Sequence, residues 1–261
     1  MLPDELRAAV ENLAAVPHLL VALDFDGTLA PFVDRPEDAR ALPGSAEALA
    51  RLAEPGAAGA EPRTTTALLS GRHLESLRLV ARPPEHVLLV GSHGAERYSP
   101  ETGDEPLTLT DGQETLLAAA TAALRDITAA FAGARLEHKP SGVVLHVRQC
   151  STADGEAALS GARAALDGTP GIHVTEGKAV LEAAVVRVDK GVGLDWLRRV
   201  SGAGTVVFAG DDVTDEHAFS TLGPDDLGLK VGGGETGAEF RVGTLADVTE
   251  FLNLLTSVRR L

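Results

Sequence analysis

At 261 residues, 44% hydrophobic and 23% charged, the chain is long enough to bury one large core or two smaller ones and too apolar to be disordered. Its 23 basic and 38 acidic residues leave a formal charge of −15, which argues against nucleic acid and anionic membrane as partners. Cys150 is the only cysteine, so an intrachain disulfide and a thiolate metal cluster are both excluded.

Residues 1–17 place Asp4, Glu5 and Glu11 among Leu and Ala at helical spacing, with no basic start or long apolar stretch of the kind a signal peptide needs. No apolar run approaches the roughly eighteen residues of a membrane span, so a soluble, cytoplasmic protein is expected. Residues 19–23 are an apolar run that reads as a buried strand, ending abruptly in Asp24, Phe25, Asp26, Gly27 and Thr28. Burying carboxylates is costly unless they are paired or bound to metal, so chemistry explains the two acids better than folding does. The plain alternative is a solvated strand-to-loop turn, where Asp and Gly are ordinary residues.

A polar loop (31–43), a helix near 44–53 and a small-residue linker (54–62) follow. Residues 64–69 read as a second strand ending in Ser70, Gly71 and Arg72, and 73–81 as a helix. Residues 87–90 form a third strand that leads into Gly91, Ser92, His93, Gly94, Ala95 and Glu96. Strands alternating with helices, with polar or Gly-rich turns at the strand C-termini, describe an α/β fold built on a doubly wound, Rossmann-like parallel sheet. Such sheets bind ligands outside the carboxyl ends of their strands.

From Tyr98 the pattern changes. A polar connection (100–110) and a long Ala- and Leu-rich helix (113–131) precede two strands (135–139 and 143–148) joined by a Pro140-Ser141-Gly142 turn. A helix near 155–166 and strands at 172–175 and 179–183 complete an α+β unit, after which the α/β pattern resumes. It continues through a helix (189–200), a strand (205–209), a helix (215–222), a strand (227–231) and a last helix from Thr244. The expected organisation is a split core, 1–99 with 189–261, carrying an inserted α+β cap at 100–188.

The second core half repeats the acidic signature. Gly210-Asp211-Asp212-Val213-Thr214-Asp215-Glu216 follows the apolar strand 205–209, so two strand ends carrying carboxylates would converge on one hard cation. Oxygen-only ligation favours magnesium over zinc. An Asp-rich helix N-cap accounts for Asp212 or Asp215 alone, but not for four acids after another paired-acid turn.

In order along the chain, Asp24-Phe25-Asp26-Gly27-Thr28, Ser70, Lys190 and Gly210-Asp211-Asp212-Val213-Thr214-Asp215 resemble the four motifs of the haloacid dehalogenase-like phosphatases. Leu69-Ser70-Gly71-Arg72, Gly91-Ser92-His93-Gly94-Ala95-Glu96, Glu137-His138-Lys139-Pro140, Gly177-Lys178-Ala179-Val180-Leu181-Glu182 and Asp189-Lys190-Gly191 extend the likeness to the trehalose-6-phosphate phosphatase family. It spans about residues 20–255.

The resemblance implies a magnesium-dependent phosphatase for trehalose 6-phosphate, the last step of trehalose synthesis, acting as a monomer on a small sugar phosphate. It makes Asp24 the nucleophile, Asp26 the acid and base, and Lys190 a charge bridging Asp24 and the phosphoryl group. Asp24, Asp26 (through its carbonyl), Asp211 and Asp215 become the metal set, with Asp212 the competitor for the last place. Gly27, Thr28, Ser70, Gly71 and Lys190 become phosphate contacts. Arg72, His93, Gly94, Glu137, Lys139, Lys178 and Glu182 become substrate contacts, those numbered 137–182 on the cap.

Plainer readings stand beside these. Ser70 alone is a turn residue, Arg72 a surface salt bridge, and Glu137 with Lys139 a solvated cross-strand ion pair. Lys190 opposes the dipole of the helix it begins, which favours a functional reason. His18, His86 and His173 are expected to be structural or solvated. In one departure from the family, Ala184 and Val185 stand where a basic residue and a proline are usual. Another sugar phosphate, a phosphosugar mutase and a non-catalytic sugar-phosphate binder remain as alternatives. Gly232-Gly233-Gly234-Glu235-Thr236-Gly237 matches a dinucleotide fingerprint, but too little chain follows it for a full βαβ unit, so a Gly-rich turn is expected.

Overall fold

The computed structural model describes residues 2–54, 61–105, 107–177, 179–186 and 188–259. Most of the expected linker at 54–62, and Lys178, lie outside the described residues. Two compact units divide the chain, Met1–Glu105 with Val188–Leu261, and Pro106–Arg187. The first runs α1 (Asp4–Asn12), β1 (His18–Leu23), α2 (Pro43–Leu52), β2 (Arg63–Leu69), α3 (Leu74–Ala81), β3 (Leu88–Gly91), β4 (Glu96–Ser99) and β5 (Gly103–Glu105). The second contains α4 (Asp111–Ala130), β6 (Arg135–Lys139), β7 (Gly142–His146), α5 (Thr152–Leu166), β8 (His173–Gly177) and β9 (Val180–Ala184). The chain then completes the first unit with α6 (Lys190–Ser201), β10 (Thr205–Gly210), α7 (Asp215–Phe219), β11 (Leu227–Val231), β12 (Phe240–Val242) and α8 (Leu245–Arg259).

The first unit is organised by an eight-stranded sheet in the order β12-β11-β10-β1-β2-β3-β4-β5. It is parallel from β12 to β3 and antiparallel at β3–β4 and β4–β5. Every residue of β1 is buried, as a central parallel strand covered on both faces requires. Leu19, Val21 and Leu23 enter a core shared with Leu49, Leu52, Phe251 and Leu252 from α2 and α8. Leu20 and Ala22 enter another with Leu194, Leu197 and Phe219 from α6 and α7. Each fully buried Leu or Val contributes roughly 1.5–3 kcal/mol, so β1 is anchored from two sides.

The sheet is longer than its sequence pattern announces. Within residues 96–105, mostly read as a polar connection, β4 and β5 form a hairpin on the sheet edge. Its turn is closed by Gly103 at φ +77° and a 2.7 Å hydroxyl contact between Ser99 and Thr102. Strands of four and three residues are too short and polar to show periodicity, and the three-residue β12 escapes for the same reason.

The second unit carries an antiparallel sheet, β6-β7-β9-β8. Val143, Leu145, Leu181 and Ala183 pack on one face against Leu124, Ala158, Ala162 and Leu166 of α4 and α5. A capping box between Thr110 and Gln113 starts α4, and the Ser151 side chain caps α5. Among the described residues no helix is long and apolar enough to cross a membrane.

Candidate active site

Because β1 and β10 are parallel neighbours, their ends deliver Asp24 and the loop 211–214 to the same edge of the sheet. The Asp24 amide still donates to the Ala209 carbonyl at 2.9 Å, extending the ladder by one rung. The chain then reverses, with Gly27 N–H on the Ala30 carbonyl at 2.7 Å and Ala30 N–H on the Phe25 carbonyl at 2.8 Å. Gly27 has φ +84°, and a Cβ there would stand 2.1 Å from Asp211 Oδ2. Glycine is therefore required twice over, by the left-handed backbone and by the acid packed against it. Gly210 admits Asp215 in the same way, since a Cβ would lie 2.3 Å from its Cγ. Thr28 is fully buried, with its hydroxyl 3.5 Å from Asp211 Oδ1.

Lys190, 3% exposed, donates to Asp24 Oδ1 at 2.8 Å and to Asp215 Oδ1 at 2.6 Å. It begins α6, whose N-terminus is capped by Asp189 accepting from Val192 N–H at 3.0 Å, so two carboxylates offset the ammonium's conflict with the helix dipole. Asp24, Asp211 and Asp215 each offer one oxygen within 4.8 Å of the others. The balance is three carboxylates to one ammonium, −3 + 1 = −2, at a site where Asp24 and Asp215 are buried.

The titration behaviour reflects that excess. Burial, then the Asp215 and Asp211 charges, push Asp24 up to about 8 in spite of Lys190. Burial and Asp215 likewise raise Asp211. Burial would lower Lys190, but the carboxylates of Asp24 and Asp215 outweigh it and hold the ammonium charged. A hard divalent cation fits this donor set, since it takes oxygen ligands and its charge equals the missing two units.

Asp26 has a different partner. Arg72 grips its carboxylate in a fork, Nε to Oδ2 at 2.5 Å and Nη2 to Oδ1 at 2.7 Å, and also reaches the Pro36 carbonyl at 2.9 Å. The arginine side chain is only 12% exposed, so the pair is not a surface salt bridge. Ser70, also buried, accepts from the Arg72 amide at 3.1 Å and offers its carbonyl to His93 N–H at 3.1 Å. Ser92 and His93 both have positive φ, 48° and 55°, in the short turn Ser92–Gly94, and the imidazole stands over Gly71. Gly94 is buried at the end of that turn. A cavity of about 390 Å³ opens above these groups, lined by Asp24, Asp26, Ser70, Gly71, Arg72, His93 and Lys190, with Phe32, Asp212 and Thr214 at its wall. The Asp212 carboxylate takes the Val213 amide at 2.7 Å and stands outside the three-acid cluster, whereas Asp215 stands within it.

The remaining candidates belong to the second unit. Lys139 Nζ donates to Glu182 Oε2 at 2.9 Å, and Glu137 Oε2 lies 2.8 Å from His146 Nε2. All four lie on the sheet face opposite α4 and α5, and the plainer alternative, a Glu137–Lys139 ion pair, gives way to these two pairs. His146 and the buried Lys230 of β11 carry polar contacts that the sequence reading passed over. For Lys230 the signal was available, a cation inside the apolar run Leu-Gly-Leu-Lys-Val.

The family described as trehalose-phosphatase matches residues 22–243. A trehalose-phosphate phosphatase of Mycobacterium marinum is 32% identical over 98% of this chain and 66% of its own length. An uncharacterized glycosyl hydrolase of Mycobacterium tuberculosis is 32% identical over 97% of this chain, which spans 20% of that protein. The chain thus covers only part of these curated relatives. Among solved structures, the trehalose-6-phosphate phosphatase of Aspergillus fumigatus superposes with a TM-score of 0.74 at 24% identity, over 96% of this chain and 97% of that one. A trehalose-6-phosphate phosphatase related protein gives 0.63 at 26% identity, over 91% and 97%. With the match running from β1 through the second unit and the acid loop to β12, the chain belongs to the trehalose-phosphatase family.

Proposed function

We propose that the protein is a magnesium-dependent phosphatase that hydrolyses trehalose 6-phosphate to trehalose and phosphate. The observation that carries this reading is the buried Asp24–Lys190–Asp215 array, with Asp211 clustered beside it, whose Asp24 and Lys190 line a 390 Å³ cavity. Phosphate monoesters are among the slowest of all hydrolyses, so a nucleophile that divides the reaction into two steps has a large effect. Asp24 attacks phosphorus, the bond to the sugar oxygen breaks, and an aspartyl-phosphate forms. Lys190 keeps the Asp24 carboxylate aimed and offsets charge on the phosphoryl oxygens. Asp24, Asp211, Asp215 and the Asp26 carbonyl would hold the divalent cation, which would supply the further positive charge those oxygens need.

Asp26 protonates the departing sugar oxygen and then takes a proton from the water that hydrolyses the aspartyl-phosphate. Both Asp26 carboxylate oxygens are engaged by the Arg72 fork, so Asp26 leaves that fork before it meets the sugar oxygen. Ser70, Gly71, Thr28 and the Gly27 turn shape the phosphate pocket. As the family resemblance implies, His93, Gly94 and Arg72 are the proposed sugar contacts of the first unit, and Glu137, Lys139, Lys178 and Glu182 those of the second. The sugar assignment draws on the name of the Mycobacterium marinum relative. We read the protein as a cytoplasmic monomer.

The test is phosphate release from a panel of sugar phosphates with and without Mg2+. Trehalose 6-phosphate should be the best substrate, and EDTA should abolish turnover. Asp24→Asn should lower kcat by at least about 10³-fold. Normal turnover in that variant would remove Asp24 as nucleophile. A retained phosphoenzyme without free phosphate would indicate a mutase, and binding without turnover a non-catalytic receptor.

A further inference from the structure

The acid loop that brings Asp211 and Asp215 together is closed by its own carboxylates, Asp215 Oδ2 on the Asp212 amide and Asp212 Oδ1 on the Val213 amide, more than by its own peptides. Its internal backbone hydrogen bonds are long, Asp215 N–H to the Asp212 carbonyl at 3.2 Å and Glu216 N–H to the Val213 carbonyl at 3.3 Å. It also concentrates four acids in six residues, 211–216, which repel one another. Support arrives from the neighbouring strand. Lys230 of β11 pairs in register with Gly210, the residue from which the loop departs, and is 3% exposed. Its ammonium donates to the Asp212 carbonyl at 3.2 Å and to Glu216 Oε1 at 3.2 Å.

Glu216 in turn reaches the Gly-rich turn that the sequence singled out. Its other oxygen accepts from Thr236 Oγ1 at 3.2 Å and from Gly237 N–H at 2.8 Å. The Asp212 amide donates to Asp215 Oδ2 at 2.8 Å, and Asp215 Oδ1 receives Lys190. Hydrogen bonds therefore link residues 236–237 through Glu216 and Lys230 to the Asp212 carbonyl, and the Asp212 amide, on the other side of the same residue, to Asp215, Lys190 and Asp24.

We infer that Lys230 and Glu216 are positioning residues for the divalent-cation site, holding the acid loop from behind through the Asp212 peptide, with the Gly-rich turn as their strap. This rests on reading the three-acid cluster as the cation site. Neither side chain touches that cluster; they act through Asp212, as the outer groups of metal sites orient the ligands. The ammonium also supplies buried positive charge beneath four carboxylates.

The experiment measures the Mg2+ dissociation constant by titration calorimetry for the parent, Lys230→Met, Glu216→Gln and Thr236→Val, with thermal unfolding of each in EDTA. Lys230→Met keeps the volume and removes the ammonium; Mg2+ should bind about 10–100-fold more weakly. Thr236→Val preserves shape and should weaken binding by about fivefold, the worth of one hydrogen bond. Should Lys230→Met fail to fold, Glu216→Gln and Thr236→Val carry the test, and weaker Mg2+ binding in both is the supporting result. Lower unfolding temperatures in EDTA with unchanged Mg2+ affinity would make the network merely structural and overturn the inference. A parent protein that takes up no Mg2+ at millimolar concentration would overturn the cation reading itself, and this inference with it.

Discussion

Asp24 combines almost complete burial, an ammonium on one oxygen and two carboxylate neighbours. In the metal-free protein its carboxyl is held up to about 8, while in the unfolded chain it returns to the usual carboxylate range. The sign follows from proton counting. Between about pH 4 and 8 the folded state holds a proton that the unfolded state has released, so stability in EDTA falls as pH rises through that window. Asp24→Asn reduces the slope to the part that the raised Asp211 contributes, which urea unfolding at pH 5, 6, 7 and 8 measures. A divalent cation needs the carboxylate and competes with that proton. Mg2+ affinity is therefore expected to fall by up to about tenfold per pH unit below 8 and to level off above it, as calorimetry between pH 6 and 9 would register. An affinity independent of pH would place the proton elsewhere. The acids of this site stood out in the sequence because charge at the end of an apolar strand needs a reason. The Asp26–Arg72 fork did not, since its partners lie 46 positions apart and nothing local records that they meet.

Among elements, the turn after β1 shows how backbone shape becomes site chemistry. Gly27→Ala would place a methyl group on a left-handed residue and within 2.1 Å of Asp211 Oδ2. The backbone strain alone is about 1–2 kcal/mol, and the collision must also displace the acid. The variant should lose roughly 2–4 kcal/mol of stability and most of its Mg2+ affinity together, read from urea unfolding and calorimetry. Loss of stability with full affinity would mean that the loop relaxes without moving Asp211. Glycine in this turn was legible, but its reason was not, because the obstacle comes from a loop more than 180 residues away. Long elements such as β1 and α4 announced themselves through apolar runs and helical spacing. The β4–β5 hairpin did not, because Glu96–Ser99 and Gly103–Glu105 carry mostly polar residues and pair only at a sheet edge. Lys139 and Glu182 were visible as charges on predicted strands, while their pairing across β7 depended on a register that only the folded sheet displays.

For the whole molecule, the decisive feature is that two hydrophobic cores of the first unit and one of the second share no members. The switch from alternating strands and helices to a helix-strand-strand order marked this division in the sequence, since each pattern buries its apolar face differently. The three clustered acids and Lys190 all belong to the first unit, whereas Leu145 lies fully buried in the core of the second. Leu145→Ala leaves a cavity worth about 2–5 kcal/mol in that core. Separate cores favour local rather than global opening, so hydrogen exchange should accelerate within 107–177 and change little in β1 and β10. Mg2+ affinity should match the parent's, because the clustered acids are carried by the first unit. Under the proposed function, turnover of trehalose 6-phosphate should fall at the same time, mainly through KM, as the proposed sugar contacts Glu137, Lys139 and Glu182 lose their support. If Mg2+ affinity and β1 exchange shifted along with the second core, the molecule would be unfolding as one cooperative block, and the cation site would depend on both units.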